Sequence, residues 1–69
     1  MNFYKWVNSL AIINTPEGDL VRDIQADNNF PKNINSLEEL LNYLPYDERI
    51  QEIAKTLFQS YLADTRHHK

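Results

Sequence analysis

Asp19, Asp23 and Asp27 recur at every fourth residue, and this is the first spacing in the chain that suggests chemistry. On a helix these carboxylates would line one flank about 6 Å apart, where they could draw a divalent cation or a basic surface. A calcium loop instead wraps its oxygen ligands around a single point. The ladder therefore reads as a solvated acidic face, with Arg22 three residues after Asp19 to offset part of the repulsion. His67 and His68 are adjacent in a polar tail, so they point apart if helical, and neither has a third ligand nearby in sequence. Adventitious metal binding is the most they suggest. Ser9, Ser36 and Ser60 belong to no nucleophile motif. With one glycine the chain cannot build a glycine-rich phosphate loop. The residues point away from an enzyme and imply no cofactor or metal.

Binding chemistry leaves two readings. Ten acidic residues outnumber seven Lys and Arg, giving a net charge of −3, whereas a nucleic-acid surface needs clustered cations to displace counterions from phosphate. The cations stand singly along the chain, so a nucleic-acid-associated protein is the second reading, and it requires Lys5, Arg22, Lys32 and Lys55 to converge in the fold. The first reading is a noncatalytic module that contacts protein, either a copy of itself or another chain. Tyr4, Ile12, Phe30 and Tyr46 are the large residues whose burial the sequence pattern fixes least, and with Lys32 they form the candidate contact surface. Within Phe30-Pro31-Lys32, a core plug at a chain corner is favoured over an exposed docking knob, because so small a protein rarely spares an aromatic from its core.

Helices must position these groups. Phe3, Trp6, Val7, Leu10 and Ala11 fall on one face at three-four spacing, with Asn2 as N-cap and an end expected near Ile12. Thr15 caps a second helix with Pro16 at its first position, Glu17 and Asp19 against the helix dipole, and Leu20, Val21 and Ile24 inward. Gly18, in its first turn, fits either a close approach by a neighbouring helix or ordinary tolerance. Pro31 forces Phe30 into extended backbone and stops that helix, and Asn28, Asn29, Asn33 and Asn35 suit the turns around the break. Ser36 and Glu39 form a capping box for a short helix with Leu37, Leu40, Leu41 and Leu44 inward, ended by Pro45. Asp47 caps the longest helix, whose inward positions are Ile50, Ile53, Ala54, Leu57, Phe58, Tyr61 and Leu62, and residues 65–69 are expected to fray. No alternating strand pattern competes, so the expectation is all-α, a compact bundle of four main helices in a single domain over residues 1–69.

Length and composition set the energetic scale. A 69-residue chain buries only about 60% of the surface its unfolded form exposes, so it has one thin core. A hydrophobic fraction of 42% with eight Phe, Tyr and Trp residues marks a folded chain rather than an acidic tail. No cysteine is present, which removes disulfides and thiolate zinc sites and favours the cytoplasm. Asn8 and Ser9 interrupt the apolar run near the N-terminus, no small-residue cleavage site follows it, and no stretch reaches the ~18 apolar residues of a membrane span. Neither export nor membrane insertion is expected.

In "NFYKWV" and "DNNFPKNINSLEELLNYL" the chain resembles the YozE-like group of small, functionally uncharacterised bacterial proteins, whose fold is similar to the sterile alpha motif (SAM) domain. Asp27, Phe30, Pro31, Lys32, Glu39, Tyr43 and Leu44 carry the likeness, and Phe58 and Tyr61 are similar to an aromatic pair near the group's C-terminus. Phe58 stands where the group favours Trp and Leu37 where it favours an aromatic, and the join at "PYDER" is short. The resemblance implies a SAM-like helical bundle and carries over no catalytic residue.

Overall fold

Side-chain oxygens set where each helix begins. In the computed structural model, which describes the backbone of residues 2–67 and the side chains of residues 2–65, Asn2 Oδ1 accepts the Lys5 amide at 2.8 Å and opens α1, Phe3–Asn8. Thr15 Oγ1 accepts the Gly18 amide at 2.9 Å and opens α2, Pro16–Ala26. Ser36 Oγ accepts the Glu39 amide at 3.2 Å at the head of α3, Leu37–Tyr43, and Asp47 Oδ1 takes the Arg49 and Ile50 amides ahead of α4, Glu48–His67. Each oxygen satisfies amides that have no partner inside their own helix. The capping box closes one residue early: the Glu39 carboxylate accepts from Asn35, not from Ser36.

Among the described residues these helices form the expected all-α bundle of four. The longest, α4, packs against each of the other three, and α1 also packs against α2. At the centre lies Phe3, fully buried, with the rings of Phe58, Tyr61, Trp6 and Phe30 at centroid separations of 5.3, 5.4, 5.9 and 6.4 Å. Offset and edge-on pairs of this kind add to what area burial alone contributes. Val7, Leu20, Val21, Ile24, Ile34, Leu40, Leu44, Ala54 and Leu57 complete the core. Trp6 Nε1–H donates to Asp64 Oδ2 at 2.7 Å and ties α1 to the far part of α4.

Several expectations need correction. Instead of continuing towards Ile12, α1 ends at Asn8. The Ser9 hydroxyl donates to the Trp6 carbonyl, and Gln25 Nε2 reaches from α2 to the Val7 and Leu10 carbonyls at 2.9 and 3.1 Å. A longer helix would need those carbonyls for its own ladder. Ala11 is consequently exposed. Gln51 Nε2 makes the matching contact from α4, donating to the Leu41 and Pro45 carbonyls at the end of α3. Leu62 is 43% exposed, because α4 turns Tyr61 and Asp64 towards Trp6 and leaves Leu62 on another flank. Residues 65–67, expected to fray, are helical, and Thr65 Oγ1 donates to the Tyr61 carbonyl. Residues 68 and 69, and the side chains of His67 and His68, lie outside what is described. Gly18 meets loop backbone rather than a neighbouring helix: a Cβ there would sit 1.8 Å from the Ile13 carbonyl oxygen.

Candidate functional site

Along α2, Leu20 and Ile24 form an aliphatic row one position on from the carboxylate row of Asp19, Asp23 and Asp27. Helical twist sets the two rows about 100° apart, so a groove beside α2 has an apolar floor and an acidic edge. Two adjoining open hollows, of about 390 and 440 Å³, lie between α2, the α3–α4 loop and the first turns of α4, and they share Leu20, Asp23 and Ile50. Pro16 and Ile53 extend the apolar floor of one hollow. Ile24, Phe30, Leu44 and Pro45 extend that of the other. Across the two hollows Asp19, Asp23, Asp27 and Asp47 supply the carboxylates, against one guanidinium, that of Arg49.

The four carboxylates differ in what they already hold. Asp19 pairs with Arg22 at 3.2 Å, and Asp47 is engaged in capping α4. Asp27 accepts a short hydrogen bond from the Tyr43 hydroxyl and another from the Asn29 amide at 2.9 Å. The Tyr43 bond, with the Asn29 amide second, lowers the Asp27 pKa below its ordinary 3.8. The same bond raises that of Tyr43 above 10.0, with desolvation and the Asp27 charge adding to it. Asp23, common to both hollows, has no hydrogen-bond or ion-pair partner among the described residues. Tyr46 stands in the loop between Pro45, which lines one hollow, and Asp47, which lines the other, and its side chain is 83% exposed.

The candidate contact residues do not form one surface. Tyr4, Phe30 and Lys32 do gather: the Tyr4 and Phe30 rings stack at 6.2 Å, and Lys32 Nζ lies 6.0 Å from the Tyr4 centroid. Phe30 is only 3% exposed, so its place among the contact residues is wrong and the core-plug reading is right. It is held between Phe3, Tyr4 and the edge of Tyr43. Ile12 is exposed in the α1–α2 loop beside Ile13, itself 59% exposed. Of that set, Phe30 lines one hollow with its buried ring, and Tyr46 lines neither hollow but stands in the loop between two residues that do.

Among the cations of the second reading, Arg22 and Lys55 are each paired with a carboxylate one turn away, at 3.2 and 3.1 Å. Lys32 lies against Tyr4, and Lys5 is exposed on α1. Among the described residues no three His, Cys, Asp or Glu groups come together to hold a metal ion, and no helix is long and apolar enough to cross a membrane.

Sequence reading missed the groove. Ile50 and Ile53, read as inward positions, do pack against the core and also line the groove, while Asp23 looked like one step of a solvated ladder and Arg49 like an isolated charge. Exposed Tyr46 between a proline and a capping aspartate was the one available signal. Residues that carry the resemblance have structural tasks instead. Asp27 and Tyr43 bond each other, Phe30 and Leu44 fill the core, the Lys32 carbonyl accepts from Asn2 Nδ2 at 3.0 Å, and Glu39 closes the α3 cap. A family model described as the YozE SAM-like fold matches residues 2–63. No curated protein and no solved structure matches the chain.

Proposed function

The chain belongs to the YozE SAM-like family, and we propose that it is a noncatalytic module of the bacterial cytoplasm that acts through protein contacts. The observation that carries this reading is Tyr46, an aromatic side chain 83% exposed in the loop between Pro45 and Asp47, two residues that line an apolar-floored groove. A thin core makes aromatics scarce, and exposed Tyr is among the residues that anchor protein interfaces most strongly. Cysteine-free composition supports the compartment. Nucleic-acid association has less support, since Arg22 and Lys55 already have carboxylate partners.

A tagged capture from the source organism's lysate, split into nuclease-treated and untreated halves, tests the reading. A specific protein retained in both halves is the expected result. Enrichment that collapses on nuclease treatment would transfer the proposal to nucleic acid, and an empty capture would remove a heterologous partner.

A further inference from the structure

We infer that the groove between α2 and the start of α4 receives an amphipathic helix of a different chain, aliphatic along one face and flanked by Lys or Arg. This rests on the reading that the chain works through protein contacts, and it adds where the contact lies and what chemistry fits it. The floor is mainly aliphatic, with Leu20 and Ile50 common to both hollows, which suits branched side chains spaced along a helix. The described residues contain no strand and hence no sheet edge to which an extended segment could add.

Charge selects the occupant. Asp19, Asp23, Asp27 and Asp47 line the groove with Arg49 as the one cation of the lining, Arg22 pairs with Asp19 from outside it, and Asp23 has no partner among the described residues. An acidic or neutral helix would leave that excess uncompensated, whereas Lys or Arg beside the aliphatic stripe would meet it and keep charge out of the floor. A second copy fits poorly. The chain carries a net charge of −3, and its most exposed aliphatics, Ile12 and Ile13, lie in a loop whose neighbours Asn8, Ser9, Asn14 and Thr15 bear no cation.

The test is a selection from a displayed library of sixteen-residue helical peptides against the immobilised full chain. Enriched peptides are then titrated by fluorescence anisotropy against wild type, D23K and Y46A. Among the described residues neither Asp23 nor Tyr46 has a hydrogen-bond or ion-pair partner, so circular dichroism should show both variants folded as wild type. We expect enriched peptides to be cationic with aliphatic residues at three-four spacing, and to bind about tenfold more weakly to D23K and about thirtyfold more weakly to Y46A. Acidic or neutral winners, an empty selection, or peptides indifferent to both substitutions would overturn the inference. So would sedimentation showing that the wild-type chain dimerises through Tyr46.

The lysate capture repeated with the D23K/Y46A double variant separates the two claims. Prey retained equally by both baits leaves a protein-contact module whose groove is not the site. Prey lost only with the variant supports both.

Discussion

The corner at Phe30-Pro31-Lys32 and the loop at Pro45-Tyr46 each set an aromatic beside a proline in the sequence, yet they are opposites. At the corner almost every group is engaged: Phe30 is buried among three rings, the Lys32 carbonyl accepts from Asn2, and Asp27 holds both the Tyr43 hydroxyl and the Asn29 amide. At the groove edge Asp23 has no partner among the described residues, and in the adjoining loop Tyr46 is 83% exposed. A residue pattern can thus be rich because it holds a fold together. The surface available for recognition lies where the fold asks least of its residues.

Truncating each aromatic gives the sharpest contrast. Phe30→Ala should cost about 3–5 kcal/mol through lost burial and an unfilled cavity. A chain of this length is stable by roughly 3–10 kcal/mol, so much of the variant should be unfolded at room temperature. Tyr46→Ala should stay within about 0.5 kcal/mol of wild type. Urea midpoints followed by circular dichroism would measure both, and comparable losses would erase the distinction between the two regions.

Gly18→Ala tests the end of the groove formed by the first turn of α2. The added carbon would lie 1.8 Å from the Ile13 carbonyl oxygen, and backbone can yield only if the α1–α2 loop moves. Overpacking of this kind costs about 1–3 kcal/mol. Relief of helix propensity returns less than about 1 kcal/mol, so the net change should be a loss. Had Gly18 been merely tolerated, alanine would have raised the urea midpoint.

What the sequence made legible follows the same division. The oxygens of Thr15, Ser36 and Asp47 act within three residues of their own position, and the pattern located all of them. The apolar three-four spacing of α4 was readable for the same reason. Gln25 and Gln51 act across 15–18 and 6–10 residues, respectively, and no local spacing marks a glutamine that will stop another helix. The length of α1 was therefore misread. The depth of Phe30 and the groove itself depend on how α2, α3 and α4 meet, which periodicity along any one helix does not encode.

Asp27 belongs to both regions, bonded within the corner and standing at the groove edge, and its titration should show which role governs it. Because its folded-state pKa is lowered, chiefly by the Tyr43 bond, ionised Asp27 favours the folded chain at neutral pH, and this contribution is fully present above about 3.8 and lost as pH falls through the folded value. The Tyr43 pKa is raised, so its contribution is present below about 10.0 and lost as pH rises through its own folded value. The urea midpoint of wild type should thus exceed that of Asp27→Asn at pH 7 by a small margin that closes on acidification below pH 3.8. Against Tyr43→Phe, which removes the same bond, the margin should narrow as Asp27 protonates on acidification and should also close on the alkaline side of pH 10.0. If Asp27 served the groove alone, Asp27→Asn would weaken a cationic helix while leaving the acid limb of the stability curve unchanged.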